Sequence, residues 1–135
     1  SDAELAALFG TRNTAPSLLL RVHKPAPRRP GQIGAPLVMD WVLRGAVTPV
    51  SNQGQCGSCW AFSAAEVITG AYFLATGTLV PLSTQQLVSC DGGDNNGCNG
   101  GLPSDAFDWV RDHGICALSS YSYTSGFGTS GACQT

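Results

Sequence analysis

The sequence predicts a mainly helical domain organised around one long, buried helix that begins at Cys59. The chain contains no proline from Cys59 to about Ala75, and apolar residues fall on every side of the helix that this stretch would form. That pattern is typical of a buried central helix. Two shorter helical patterns follow, separated by loops of turn-forming residues. With 135 residues, 43% of them hydrophobic, the chain can build one modest core.

Capping residues predict where the first two helices begin and end. Ser58 is a good N-cap type for the first helix, and Gly77 is suited to stop it. Ser83 and Gln86 have the spacing of a capping box, which opens a second, short helix that ends near Cys90.

The third helix is expected to start near Pro103 or Ser104 and to stop at Gly114. Its predicted apolar face consists of Ala106, Phe107, Trp109 and Val110. Residues 91–101 are turn formers throughout, and residues 119–135 are interpreted as irregular surface chain.

The first 34 residues differ in character from the rest. Residues 1–12 predict a short amphipathic helix, and residues 13–36, with five prolines, predict an extended linker. Residues 1–34 carry a net charge of +3, whereas residues 35–135 carry −5. Such a basic segment can be a nucleic-acid tail, but this one lacks interleaved aromatic residues, so no nucleic-acid partner is predicted. No stretch approaches the length of a membrane span, so no membrane partner is predicted.

Cys59 falls in the first turn of the predicted buried helix, where unpaired N–H groups and the helix dipole favour an anion. A thiolate is such an anion, and it is the nucleophilic form of cysteine. A helix end contributes only about 0.3–1 kcal/mol, whereas one pKa unit corresponds to about 1.4 kcal/mol. The helix alone therefore predicts an ordinary or mildly acidic thiol, and strong activation requires a cationic partner such as histidine.

Residues 53–63 read Gln-Gly-Gln-Cys-Gly-Ser-Cys-Trp-Ala-Phe-Ser. This run resembles the nucleophile segment of papain-like cysteine proteases, whose known signature is C-G-[SA]-C-[WY]. Asp40-Trp41 with residues 45–50 is similar to the family's mature amino-terminal region. Residues 82–91 are similar to its second helix, and residues 97–101 to its substrate-groove loop. The similar segments occur in the family's order over about residues 35–133.

The resemblance implies an α+β papain-like fold, of which this chain covers mainly the helical left domain. It assigns residues 1–34 to a propeptide remnant and linker, from a zymogen form, and residues 35–135 to the left domain. The family's catalytic His and Asn follow the cysteine by roughly 130–150 residues, whereas 76 residues follow Cys59 here. Neither His23 nor His113 matches the family's histidine. We therefore expect a cysteine-bearing half that is inactive without the His/Asn-bearing half.

The resemblance also implies roles for individual residues. Cys59 becomes the nucleophile that forms an acyl-enzyme, and Gln53 donates to the oxyanion together with the Cys59 backbone N–H. The implied substrate-binding residues are Gly57, Ser58, Trp60, Gly100, Gly101, Leu102 and Pro103. Leu102 and Pro103 would wall the pocket for the residue two before the cut, which suggests an apolar preference. The implied partners are a peptide or protein substrate, a second polypeptide with the His/Asn domain, and protein or peptidyl inhibitors.

Six cysteines in one small domain indicate an oxidising compartment. The resemblance implies the disulfides Cys56–Cys98 and Cys90–Cys133, with Cys59 outside them, and a lysosomal, vacuolar or secreted location. Cys116 is left over, either as a buried thiol or paired outside this chain. No cofactor or metal is predicted.

Three alternatives remain open from the residues. The chain could be a non-catalytic scaffold or binding subunit, although a scaffold needs neither Gln53 nor Cys59. Cys56 and Cys59 could form a thiol–disulfide redox pair, but no βαβ pattern precedes them. A zinc site could use Cys56, Cys59, Cys90 and Cys98, although their spacing differs from common zinc motifs.

Overall fold

The computed structural model describes residues 38–134, which form three α-helices and one short 3-10 helix. They are α1 (Cys59–Thr76), α2 (Thr84–Cys90), α3 (Pro103–His113) and the 3-10 helix (Ser125–Phe127). Helix α1 packs against both α2 and α3. In this described part, β structure consists of two isolated bridges, Gly57 with Asn99 and Leu82 with Ala117. The mainly helical fold with a central helix starting at Cys59 is confirmed. The helix and linker predicted within residues 1–36 lie outside the described residues.

Helix α1 has the predicted boundaries, but its N-cap acts differently. Ser58 occupies the N-cap position without a side-chain capping hydrogen bond. Its Oγ lies instead 2.9 Å from the Tyr123 hydroxyl. At the other end, Gly77 adopts a left-handed conformation with φ 75°, and its N–H donates to Phe73 O. Glycine adopts this conformation without the steric cost of a Cβ atom, which explains why the helix stops there.

One face of α1 supplies the centre of the core. Trp60, Ala61 and Ala64 are completely buried, and Ala65 nearly so. They join a cluster that is completed by Cys56, Leu87, Val88, Cys98 and Ala106. The opposite face is open in the described chain, because Val67 and Leu74 are 59% and 63% exposed. The helix is therefore buried along one side, although its sequence is apolar on all sides.

Helix α2 forms half of the predicted capping box. Ser83 Oγ accepts a hydrogen bond from Gln86 N at 3.0 Å, as predicted. The reciprocal bond is absent because Ser83 N already donates to Cys116 O at 2.9 Å. Gln86 Oε1 instead accepts from Cys116 N at 2.7 Å. Helix α2 is thus tied at its start to the segment around Cys116.

The neighbouring side chain, Gln85, ties α2 to the C-terminal part of the domain. Gln85 is 1% exposed. Its Nε2 lies within hydrogen-bonding distance of Ser89 Oγ, Ser125 Oγ and Ser130 O. Its Oε1 accepts from the backbone N–H groups of Thr124 and Ser125. One buried amide therefore holds a segment that has little regular structure of its own.

Helix α3 begins at Pro103, one of the two predicted starts, and is capped by Gly114. Ala106 is buried, and Trp109 and Val110 pack against the core as predicted. Phe107 is 39% exposed, so its assignment to the apolar face is wrong. One residue step rotates a side chain by about 100° around a helix, which carries Phe107 away from the face centred on Ala106.

Both implied disulfides, Cys56–Cys98 and Cys90–Cys133, are present. Cys56–Cys98 joins the turn before α1 to a distant loop, and Cys90–Cys133 joins the end of α2 to the C-terminal segment. The two disulfides fit an oxidising compartment. Within residues 38–134, no helix combines the length and apolar character needed to cross a membrane.

Candidate active site

The turn before α1 is fixed by a disulfide and by backbone hydrogen bonds. Cys56 is completely buried and bonded to Cys98. Gly57 N donates to Cys98 O at 2.9 Å. Gly54 has φ +65°, and a Cβ atom there would come within 2.8 Å of Gly126 Cα. The sequence folds tightly here because glycine permits both the backbone conformation and this close approach.

Cys59 lies at the first position of α1, and its thiol belongs to neither disulfide. It opens onto a groove of about 470 Å³. The groove is lined by Val47, Thr48, Pro49, Val50, Ser51, Gln53, Cys59, Phe62, Ser63 and Glu66. These lining residues, all within the described chain, include no histidine. They do include both predicted catalytic residues, Cys59 and Gln53, which thus lie in one groove.

Burial raises the pKa of the Cys59 thiol above its ordinary value. Hydrogen bonds from the backbone N–H groups of Trp60 and Cys59 act in the opposite direction but are the smaller effect. We expected an ordinary or mildly acidic thiol, and the direction of the shift contradicts the mildly acidic outcome. The reason is that partial burial removes water from the thiolate, and the helix end does not compensate for that loss.

Gln53 is oriented by two hydrogen bonds. Its Nε2 donates to Cys56 O at 3.0 Å. Its backbone carbonyl accepts from the Tyr123 hydroxyl at 2.8 Å. The Gln53 side chain and the Cys59 thiol line the same groove.

Tyr123 is a site residue that sequence reasoning missed. Besides Gln53 O, its hydroxyl contacts Ser58 Oγ, and its ring packs edge-on against Phe62 with centroids 4.9 Å apart. Burial raises the pKa of its phenol. Tyr123 lies in the segment interpreted as irregular surface chain, 70 residues after Gln53. No local sequence pattern identifies such a long-range contact.

The loop from Gly97 to Pro103 lies beside this turn. Trp60 Nε1 donates to Gly97 O at 3.0 Å, and Gly57 pairs with Asn99. In this loop Gly100 and Gly101 are buried, whereas Leu102 and Pro103 are half-buried and present side-chain surface.

Three other residues assigned to substrate binding are buried next to the turn. Ser58 and Trp60 are completely buried, and Gly57 is buried as well. The Ser58 and Trp60 side chains are enclosed by the core and the loop, so in this structure they lie behind the Cys59 groove rather than line it.

A second set of missed residues lies behind the loop. Asn95 and Asp91 are 3% and 4% exposed, although the sequence analysis treats both as turn formers. Asn95 Nδ2 donates to Asp91 Oδ2 at 2.6 Å, and Asn95 Oδ1 accepts from Leu102 N at 2.7 Å. Burial raises the pKa of the Asp91 carboxyl, and the hydrogen bond from Asn95 opposes that rise.

The remaining candidates lie elsewhere. His113, at the end of α3, stacks on Trp109 with ring centroids 4.6 Å apart and lines a separate groove with Gln86 and Cys90. Cys56 is bonded to Cys98, not to Cys59, which contradicts the redox pair. Cys56, Cys98 and Cys90 are all in disulfides, which contradicts the zinc site. In the described residues, no group of three or more His, Cys, Asp or Glu side chains is placed to hold a metal ion.

Comparison with known proteins relates the chain to one family. The sequence profile of the papain family cysteine proteases matches residues 35–135. A cathepsin L-like peptidase of Aedes aegypti is 47% identical over 107 residues, covering 77% of this chain and 32% of the relative. Digestive cysteine proteinase 1 of Homarus americanus is 58% identical over 88 residues, covering 63% of this chain and 27% of the relative. The chain thus spans about a third or less of the length of these relatives.

A solved structure gives the same result. The chain is similar to the Amb a 11 cysteine protease, a major ragweed pollen allergen, in its proform, with a TM-score of 0.65 and 47% identity. The match covers 70% of this chain and 29% of the allergen chain. The profile match and these relatives agree with the thiol at the start of the central helix and with the two disulfides. The chain therefore belongs to the papain family of cysteine proteases.

Proposed function

We propose that this chain is the cysteine-bearing half of a cysteine endopeptidase, in which Cys59 attacks the peptide carbonyl. The observation that carries the proposal is the placement of the Cys59 thiol and the Gln53 amide in one groove, in a chain of the papain family. Residues 35–135 are the left domain of the enzyme, and residues 1–34 are the end of an inhibitory propeptide. The enzyme would act in a lysosome or vacuole, or after secretion.

The proposed reaction proceeds in two stages. The Cys59 thiolate adds to the carbonyl carbon of the peptide bond, and the oxyanion accepts hydrogen bonds from Gln53 Nε2 and the Cys59 backbone N–H. The C–N bond breaks, and the amine leaves after taking a proton from a histidine of the companion half. Water then attacks the thioester, which releases the acid and restores the thiol.

A companion half has an open surface on which to pack. A groove of about 490 Å³ runs along the exposed side of α1. We call this the open face; it is lined by Trp41, Ala46, Val47, Glu66, Val67, Gly70, Ala71 and Leu74. It adjoins the Cys59 groove, since Val47 and Glu66 line both. A continuous apolar surface of this kind is typical of an interaction site, and its position would bring a histidine of the companion half near Cys59.

The proposal predicts that this chain alone lacks peptidase activity, because activation of Cys59 requires the imidazole of the companion half. The test is covalent labelling with a peptidyl epoxide, using the chain alone and the chain with the companion half of its precursor. We expect rapid labelling only in the second sample. The Cys59→Ala variant is the control and should not be labelled in either sample. Cys116→Ser controls for reaction at the other thiol.

The same experiment tests the alternative of a non-catalytic scaffold. A scaffold subunit would bind its companion without gaining reactivity toward the epoxide. Stable association without labelling of Cys59 would therefore overturn the enzymatic proposal and support the scaffold. Association with rapid labelling would exclude the scaffold.

A further inference from the structure

Asn95 connects two parts of the molecule through one buried side chain. Its Oδ1 accepts from Leu102 N at 2.7 Å, and its Nδ2 donates to Asp91 Oδ2 at 2.6 Å. An amide that accepts at one end and donates at the other has one favourable orientation, because rotating it by 180° would place donor against donor and acceptor against acceptor. Asp91 therefore fixes which end of the Asn95 amide faces Leu102.

The same amide packs against the backbone of Gly101. A Cβ atom added to Gly101 would overlap Asn95 Oδ1 and come within 2.8 Å of Asn95 Cγ and Trp60 Cδ2. The side of Gly101 on which a Cβ would stand therefore faces both Asn95 and the Trp60 ring. Since Trp60 follows Cys59 directly, the location of Gly101 relative to the thiol depends on both contacts.

Leu102 is the residue that this arrangement positions most directly. It is the N-cap of α3, with an extended backbone at φ −123° and ψ 134°. Its N–H bond to Asn95 fixes the backbone at the point where the loop enters the helix. Its side chain is half-buried and remains partly accessible. A shift at Leu102 N would therefore move accessible side-chain surface of the loop.

We propose that Asn95 is a positioning residue for substrate selection, acting through Leu102 and Gly101 on the pocket for the residue two before the cut bond. This inference rests on the proposed function, which places an extended peptide on this loop. Asp91 contributes by holding the Asn95 amide in its working orientation. An Asn95 variant is expected to alter which peptides bind more than how fast a bound peptide reacts.

A donor–acceptor exchange tests the proposal. At a pH where both carboxyl groups are ionised, Asn95→Asp places a carboxylate against the Asp91 carboxylate, so two buried acceptors face each other without the proton that the amide supplied. The double variant Asp91→Asn/Asn95→Asp restores one donor and one acceptor with the roles reversed. It also leaves an oxygen at position 95 to accept from Leu102 N.

The exchange is made in the complete enzyme with both halves, and KM and kcat are measured for peptides that differ only two residues before the cut, with Leu, Phe or Ala there. We expect Asn95→Asp to raise KM for the Leu peptide by about tenfold or more and to change the order of preference. The double variant should return KM to within about threefold of the original. The rate at which iodoacetamide abolishes activity should change by less than about twofold.

Ser130→Ala is the matched control, because Ser130 Oγ accepts from Cys98 N in the same region at 2.9 Å without contacting Gly101 or Leu102. It should lower the melting temperature and leave KM unchanged.

The proposal is overturned if Asn95→Asp lowers kcat and stability with KM unaffected, or if Ser130→Ala raises KM equally. If Asn95→Asp does not fold, Asn95→Ser decides by the same KM criterion. Failure of the unaltered enzyme to cut any peptide would instead refute the proposed function.

Discussion

At Cys59, two consequences of the same location act against each other. The start of α1 directs backbone N–H groups at the sulfur and favours the thiolate, whereas partial burial removes the water that would also stabilise it. Burial is the larger effect, so the pKa is raised. The first effect follows from the sequence and the second does not, because exposure depends on the residues that pack around the turn.

The raised pKa predicts slow alkylation of Cys59 in this chain alone. A thiol with a raised pKa has less thiolate at any pH below that pKa, so the alkylation rate should inflect at a more alkaline pH than for an ordinary cysteine. We expect this shift in the pH profile of iodoacetamide labelling of a Cys116→Ser variant, read by mass spectrometry. Addition of the companion half should move the inflection to lower pH.

Cys59→Ser in the same background is the control for labelling at other groups. An inflection well below the ordinary value in the chain alone would contradict the dominance of burial at this site.

At the scale of the helices, the boundaries were largely predictable and the contacts between segments were not. Gly77 and Ser83 act where their residue types suggested, since caps depend on a few neighbouring residues. Gln86 illustrates the limit: the capping-box pattern is local, but its side chain binds Cys116, 30 residues away. Tyr123 and Asn95 were missed for the same reason, because their partners are chosen by tertiary packing.

Gln85 is predicted to be the most sensitive polar residue of α2. Gln85→Ala would leave the buried Ser125 N–H and its neighbour at Thr124 without their acceptor and would open a cavity. We expect a loss of about 3–5 kcal/mol in the free energy of unfolding, measured by urea denaturation under oxidising conditions.

Gln86→Ala provides the comparison on the same helix. It removes the bond to Cys116 N at a half-buried position and should cost about 1 kcal/mol. Equal losses for the two variants would show that the hydrogen bonds of Gln85 do not hold the C-terminal segment.

At the scale of the whole molecule, the described chain is asymmetric. Its core lies on one side of α1, between α2 and α3, and the open face lies on the other. Val67, Leu74 and Val47 are all at least 47% exposed on that face. Composition alone did not indicate this, because an apolar helix of this length is compatible with full burial.

Under the proposed function, the open face should govern association with the companion half. The double variant Val67→Asp/Leu74→Asp places two charges where an apolar surface would be covered, and charges buried without a partner are strongly unfavourable. We expect affinity for the companion half to fall by about a hundredfold or more, measured by titration calorimetry. The stability of the chain alone should change by less than about 1 kcal/mol, since both side chains are exposed.

Phe107→Asp is the control for this experiment, because Phe107 is an exposed apolar residue on α3 and does not line the open face. It should leave the affinity unchanged. If Phe107→Asp weakened association as strongly as the double variant, the companion half would bind elsewhere.

The disulfide between Cys56 and Cys98 joins the turn three residues before Cys59 to the loop three residues before Gly101. With the hydrogen bond from Gly57 N to Cys98 O, it ties the turn that precedes Cys59 to the loop at two adjacent points. Under the proposed function, the distance between the nucleophilic sulfur and the substrate-binding loop is therefore set within this one polypeptide. We therefore expect that replacing the companion half with a different one would change the rate of cleavage. The preferred cleavage site along a substrate would still be determined by this chain.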